Sequence, residues 1–350
     1  QSTFAKCFSP CLVARIRIMR VLSGIQPSGR LHLGNYFSMM KRMIDYQANA
    51  DLFCFIASYH AMTTVQEGPA LREGIHQAAV DFLALGLDPD KCTFWVQSDV
   101  HEVTELAWLL STSITVSQLE LAHSYKDKIA QGIIPSAGLF TYPVLMAADI
   151  LLFGSNRVPV GKDQKQHLEI TRDICHRFNT RYGEVFVMPE PDILDETALV
   201  PGVDGRKMSK SYGNAIYFFA DEKELKKAVM SIVTDSQGVN DPKDPDKSVL
   251  YQIYSLFLDE PGKAALADRF RTPGTGYGDL KKELLARVLD TFQPYRKRRE
   301  ELLASPEEVS ALMRKGAEKA RAAAMPIISK AREAVGIAPK TATLPKQKKK

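Results

Sequence analysis

The chain has no acidic residue before Asp45, no CxxC pair and no apolar run of membrane-spanning length. Each absence removes a class of protein. A spanning helix needs about 18 to 20 mostly apolar residues, whereas the stretches "DLFCFIA" and "LLFGSN" are short and flanked by polar residues. No membrane partner is expected. Cysteine is scarce and odd in number (Cys7, Cys11, Cys54, Cys92 and Cys175), which fits neither a disulfide framework nor a zinc site, so no protein metal site is expected. Plain thiols point to a reducing, cytoplasmic compartment. The two common phosphate signatures are also missing. There is no GxGxxG, and although Gly24 and Gly29 have P-loop spacing, Arg30 and Leu31 stand where Lys and Ser or Thr are required.

What is present is ordinary in bulk and informative in detail. With 350 residues and 45% hydrophobic content, the chain is long enough for two domains, each with a core. The net charge is +5, with basic residues gathered in "PYRKRREE" (294–301) and the closing "PKQKKK". Such clusters suit either a polyanionic partner or a solvated helix face. Residues 1–18 carry Lys6, Arg15 and Arg17 and no carboxylate; they are expected to be a disordered extension ahead of a start at Met19, and 339–350 a basic tail.

Between residues 19 and 220, the β-branched or aromatic runs "RVLSG", "DLFCFIAS", "CTFWVQS" and "VFVMPE" alternate with amphipathic segments. That alternation predicts an α/β fold with a mostly parallel sheet and helices on both faces. Ligands of such sheets sit beyond the carboxyl ends of the strands. From residue 221 to 338 the strand signals stop and helix is expected to follow helix: "DEKELKKAVMSIV", "SVLYQIYSLFL", "YGDLKKELLARVLDTF" and "SPEEVSALMRKGAEKARAAA". Ser305, Pro306 and Glu308 read as a capping box with proline in the first turn. The result is a domain boundary near 220 and an all-α C-terminal domain.

Two stretches stand out chemically. "GIQPSGRLHLGN" (24–35) leads from the first strand into a helix, and such a turn presents backbone N–H groups and the positive end of a helix dipole to an anion. Its glycines allow close backbone approach; a glycine-rich turn without a ligand is equally allowed by this stretch alone. "RKMSKSYG" (206–213) places lysines at i and i+3 among small hydroxyl residues. That pattern suits a loop that closes over a polyphosphate, or a solvated basic loop.

Together these residues carry a resemblance. His32-Leu33-Gly34-Asn35 resembles the HIGH-type signature of class I aminoacyl-tRNA synthetases, and Lys207-Met208-Ser209-Lys210-Ser211 matches their KMSKS signature in full. "GIQPSG" with "HLGNY", "TYPVLMAADILL" and "VPVGKDQKQHLEITRD" are similar to bacterial tryptophanyl-tRNA synthetases, and the resemblance runs over roughly 19–337.

The resemblance implies a Rossmann-like nucleotide-binding domain over 19–220, a helical anticodon-binding domain over 221–338, a homodimer, and ATP-dependent activation of L-tryptophan followed by transfer to tRNA(Trp). It implies that Gln26, Pro27, Ser28, Gly34, Gly161, Lys162, Asp163, Val200, Met208, Ser209 and Ser211 line the ATP site. His32, Asn35, Lys207, Lys210 and Lys128 would meet the phosphates and the reacting group, with Mg2+ held mainly by the phosphates. Tyr142 and Gln164 would hold the amino group of tryptophan, and His60, Met146, Val158 and Val160 would shape the slot. Tyr142, Met146 and Asp149 share one helical face at i, i+4 and i+7. Asp149 in its apolar helix would accept the indole N–H, and sites built around such a bond discriminate by about 10⁴ to 10⁵.

Arg296, Lys297, Arg298 and Arg299 are candidates for phosphate contacts, Phe292 and Tyr295 for packing, and "AWLLSTSITVSQLELAHSY" for a dimer element. The chain departs from many bacterial relatives at Leu22, where they have an aromatic residue, and at Ser58 and Tyr59, where they have an acidic-amide pair. The rival readings are a tyrosyl-tRNA synthetase, a synthetase-like paralogue with a binding role, and a free-standing adenylyltransferase.

Overall fold

The computed structural model describes residues 19–27, 29–122, 125, 134–161, 164–193 and 200–338. Five strands, β1 (Arg20–Ile25), β2 (Asp51–Ile56), β3 (Thr93–Val96), β4 (Arg157–Val160) and β5 (Glu190–Ile193), form one sheet in the order β3-β2-β1-β4-β5. Every pairing is parallel, with Arg20 opposite Asp51, Phe53 opposite Thr93, Val21 opposite Arg157, and Arg157 opposite Glu190. The α/β expectation is met. The strand order reverses between β1 and β4, and that switch point is where open parallel sheets leave a crevice for ligands.

Side chains leave a strand with period two, and the strands here use both faces. Val21, Ile25, Leu52, Cys54, Ile56, Phe94 and Val96 enter one buried cluster, while Leu22, Phe53, Phe55, Trp95, Val158 and Val160 enter the other. The first face is covered by α1 (Leu33–Asn35, continuing as a π-helix over Tyr36–Met40 and an α-helix over Lys41–Tyr46) and α2 (Gly68–Ala84). The second is covered by α3 (Glu102–Ser111), α4 (Ala137–Leu152) and α5 (Lys165–Tyr182).

After β5 come α6 (Glu222–Met230), α7 (Val249–Ser255), α8 (Glu260–Arg271), α9 (Tyr277–Leu303) and α10 (Pro306–Val335). Leu280, Leu284, Val288 and Phe292 of α9 join the same cluster as Val21 and Leu52, so helical region and sheet share one core. Helix α10 returns to the sheet and covers the edge strand β3. A Cβ on Gly316 would lie 1.7 Å from the carbonyl oxygen of Phe94, an approach only glycine permits, and a covered edge cannot pair with another chain.

Several local expectations are corrected. "VFVMPE" is not a strand: the Asn179 side chain bonds the amides of Val185 and Phe186 at 3.0 Å each and the Phe186 carbonyl at 2.8 Å, replacing a ladder. The strand begins only at Glu190. β4 escaped notice because Pro159 lies inside it, and proline argues against an interior strand. Helix α8 was also unforeseen, although Asp259 caps it through Gly262 N and a proline stands in its first turn. Ser305 makes no capping bond with its side chain, so the expected capping box is absent while proline still opens α10.

Candidate active site

The turn after β1 has its shape imposed by its neighbours. A Cβ on Gly24 would lie 2.8 Å from the Phe55 ring, and Gly29 has φ +77°, a left-handed conformation that favours glycine. Gln26 and Pro27 continue from the strand end, and a Cβ on Gly74 of α2 would come within 3.3 Å of the Pro27 carbonyl. Ser28 lies outside the described residues.

His32 and Asn35 lock one another. The Asn35 amide donates to His32 Nδ1 at 3.3 Å, and the His32 amide donates to Asn35 Oδ1 at 3.1 Å, a reciprocal cap at the start of α1. Because Nδ1 accepts, a neutral ring carries its proton on Nε2, which is then the donor available to a ligand. Burial first, and then the charge of Lys210, push the His32 pKa down to about 4. At neutral pH it acts as an uncharged donor.

The lysine loop packs directly on this turn. The Gly34 amide points at Met208 Sδ, 3.2 Å away, and a Cβ on Gly34 would crowd His32 Nδ1 at 2.9 Å and Met208 Cβ at 3.3 Å. Met208 is buried, and its amide donates to the Val200 carbonyl at 3.0 Å. The two signatures, 174 residues apart, are thus one surface. Lys210 Nζ lies 3.8 Å from the point where a Cβ on Gly29 would stand. Lys207 is exposed, and Ser209 Oγ and Ser211 Oγ are bonded at 2.8 Å.

Asn214 is the loop residue that sequence reasoning missed. It is buried, accepts from the Ser209 amide at 2.8 Å, and donates to Asp204 Oδ1 at 2.7 Å and the Lys207 carbonyl at 3.2 Å. It fixes the loop from within. A Cβ on Gly202 would collide with it at 2.3 Å, so the "ALVPGVDG" glycine is its counterpart.

On the other side of the switch point stands the second half of the site. Gly161 follows β4, and the Gln164 amide donates to its carbonyl at 3.0 Å. Lys162, Asp163 and Lys128 lie outside the described residues. Helix α4 begins at Ser136, whose hydroxyl accepts from the Leu139 amide at 3.2 Å, and carries Tyr142, Met146 and Asp149 inward.

Asp149 is 3% exposed. His60 Nε2 lies 2.8 Å from its Oδ2, and Gln97 Nε2 donates to both of its oxygens at 2.8 Å. Burial pushes the Asp149 carboxyl up from its ordinary range, and the bonds from His60 and Gln97 oppose that push. Val158, Val160 and Leu22 are buried in the cluster that Ala148 and Ile150 of α4 also join, and Met146 is half-buried.

A second chain of contacts approaches from α5. Tyr142 Oη bonds His167 Nε2, and His167 Nδ1 meets Gln164 Oε1 at 3.1 Å. The Tyr142 ring stands edge-on to His60 with centroids 6.4 Å apart, which joins both networks around one slot. Gln97 and His167 were not foreseen. The signal for Gln97 was a polar residue placed directly after the buried run "TFWV"; its Oε1 also accepts from the Tyr59 amide at 2.9 Å.

The basic run of α9 does not form one phosphate-binding patch. Arg296 bonds the Phe218 carbonyl, Arg298 pairs with Glu308 at 2.8 Å, and Arg299 pairs with Asp81 at 2.6 Å. Only Lys297 of the four is exposed. Phe292 stacks on Phe218 with centroids 4.4 Å apart, and Tyr295 packs on Phe292, as packing residues do.

Known proteins match this arrangement. The family described as tRNA synthetases class I (W and Y) matches residues 16–293. A tryptophan–tRNA ligase of Fusobacterium nucleatum is 53% identical over 319 residues, covering 91% of this chain and 98% of its own. The crystal structure of tryptophanyl-tRNA synthetase from Campylobacter jejuni complexed with ADP and tryptophan aligns with a TM-score of 0.85 at 51% identity, over 91% of this chain and 100% of that one. The Mycoplasma pneumoniae tryptophanyl-tRNA synthetase aligns at 0.78 with 30% identity, over 92% and 98%. With both signatures meeting at the switch point and a buried carboxylate in the adjoining slot, the chain belongs to the class I aminoacyl-tRNA synthetases, among the bacterial tryptophan–tRNA ligases.

Proposed function

We infer that this chain activates L-tryptophan with ATP and charges tRNA(Trp). The carboxylate of tryptophan attacks the α-phosphorus and pyrophosphate leaves; a hydroxyl of the 3′-terminal ribose then attacks the aminoacyl carbonyl and AMP leaves. The observation that carries the choice of amino acid is Asp149, an almost fully buried acceptor whose oxygens meet only His60 and Gln97 among the described residues. The indole N–H is the one polar group that the tryptophan side chain offers such a carboxylate. Phenylalanine brings no donor, and a tyrosine hydroxyl would need a longer slot.

His32 Nε2 and the side-chain NH2 of Asn35 would donate to phosphate oxygens, and Lys207 and Lys210 would balance the charge of the leaving pyrophosphate. The phosphate side is made of backbone amides, an imidazole and lysines, which suit phosphates rather than a metal cage. Mg2+ would therefore ride on the phosphates, as is usual for nucleotide-bound magnesium. Positioning supplies much of the acceleration, since no covalent enzyme intermediate is required.

Residues 19–220 would hold this chemistry and 221–338 would meet the tRNA. The exposed side chains of Trp108 (73%), Val116 and Leu121 favour a homodimer through the 107–125 segment. Among the described residues no helix is long and apolar enough to cross a membrane, and the cytoplasm is the proposed location. The direct test is ATP–pyrophosphate exchange with tryptophan, tyrosine and phenylalanine, followed by aminoacylation of tRNA(Trp). Exchange with tryptophan alone is expected; exchange driven by tyrosine would move the assignment to the sister enzyme.

A further inference from the structure

We propose that Tyr217, gripped by Arg30, is a positioning residue for the activation step: its ring forms a wall beside the His32 imidazole and so fixes the direction in which Nε2 points. The proposal rests on the ligase reading above.

Arg30 stands where a P-loop would carry its lysine, yet its guanidinium has partners within the protein. It lies 4.4 Å from the centre of the Tyr217 ring, and a terminal nitrogen donates at 2.8 Å to Oε2 of Glu224, in the first turn of α6. The His32 ring meets the same tyrosine edge-on, with centroids 6.3 Å apart and planes at 71°, the geometry of a favourable aromatic pair. The backbone explains why both side chains reach it. His32 is extended (φ −124°, ψ 167°), residues two apart on extended chain face the same side, and the intervening Leu31 packs on the buried cluster instead.

The segment that carries Tyr217 is itself anchored. The Leu33 amide donates to the Ile216 carbonyl at 3.0 Å, and Phe218 meets Tyr36 edge-on at 5.8 Å and stacks on Phe292 of α9 at 4.4 Å. Three successive residues thus lie against the start of α1, and Tyr217 is the one whose side chain reaches the imidazole. His32 needs that contact. Its Nδ1 is tied at a single point, by the Asn35 amide at 3.3 Å, while the ring occupies the space that a Gly34 side chain would take. One hydrogen bond fixes one atom and leaves the plane free to tilt about it; an aromatic wall removes that tilt. The Arg30 cation holds the wall by its attraction to the tyrosine face, and Glu224 holds Arg30. The aim of Nε2 matters because a small misplacement of a catalytic group costs rate steeply.

Tryptophan-dependent ATP–pyrophosphate exchange tests this in wild type, Tyr217→Leu, Tyr217→Phe, His32→Ala and the double variant Tyr217→Leu/His32→Ala. Tyr217→Leu is expected to lower kcat by about tenfold with the KM for tryptophan unchanged, and to add nothing in the His32→Ala background. Tyr217→Phe, which keeps the ring, should retain the wild-type kcat. A wild-type kcat in Tyr217→Leu, an equal loss in Tyr217→Phe, or losses that multiply in the double variant would overturn the proposal. Should Tyr217→Leu fail to fold, Arg30→Ala removes an exposed side chain and reads the same arrangement. A loss in kcat of about threefold that vanishes in the His32→Ala background supports the proposal; an unchanged kcat, or a loss that persists there, overturns it. Absence of exchange in wild type would remove the ligase reading and this proposal together, whereas normal wild-type exchange with an undiminished variant kcat removes this proposal alone.

Discussion

The two halves of the site are held in different ways. On the phosphate side, two distant segments meet through backbone amides, glycines and one sulfur: Gly34 N to Met208 Sδ, Met208 N to Val200 O, Leu33 N to Ile216 O. On the proposed amino-acid side, a network of side chains, Gln97–Asp149–His60 and Gln164–His167–Tyr142, is mounted on α4, α5 and the segments that follow β2 and β3. The contrast is what the proposed ligands would require. Any nucleoside triphosphate offers the same phosphates, so backbone donors suffice, whereas telling an indole from a phenyl ring needs one acceptor in a dry pocket with its geometry fixed beforehand.

The comparison breaks most visibly at Asp149. Asp149→Ala is expected to lower kcat/KM for tryptophan by about a thousandfold or more, because the proposed acceptor for the indole N–H is lost; exchange kinetics read it, and an effect under tenfold would contradict the assignment. On the phosphate side, Lys210→Ala should reduce the exchange rate by about a hundredfold with the tryptophan KM little changed. A rise confined to the tryptophan KM would place the lysine wrongly.

Gly34→Ala probes the seam between the signatures, since the new methyl would stand 2.9 Å from His32 Nδ1. A loss of about tenfold in exchange, from a displaced ring, is expected. A separate effect, on stability rather than rate, concerns pH. His32 has a folded pKa of about 4 against 6.5 for the free side chain, so the unfolded chain binds the proton first as pH falls. Its contribution to stability is therefore full above about pH 6.5 and is lost as pH drops toward 4, a change of about 3 kcal/mol. Urea melts of wild type and His32→Gln across that window should diverge by this slope, and parallel curves would count against a buried neutral ring.

Much of this was legible because the informative signals were local. Alternating runs marked β1, β2 and β3, and the order of the two signatures with the Tyr142, Met146 and Asp149 spacing located the site. What remained hidden depends on contacts between distant segments. Gln97 and Asn214 are ordinary polar residues until folding buries them against Asp149 and the lysine loop. β4 was masked by Pro159, and "VFVMPE" had a strand's composition but found Asn179 instead of a neighbouring strand. The arginines of "PYRKRREE" read as a basic patch because their partners, Asp81 and the Phe218 carbonyl, come from elsewhere in the chain.

The central claim is that Asp149 reads the indole N–H. It is tested most directly by exchange with tryptophan and with β-(benzothienyl)alanine, which keeps the ring shape and replaces the N–H by sulfur, in wild type and Asp149→Ala. Wild type should favour tryptophan by about a hundredfold or more, and the variant should lose that preference. Equal use of both substrates by wild type, or an undiminished preference in the variant, would contradict the account.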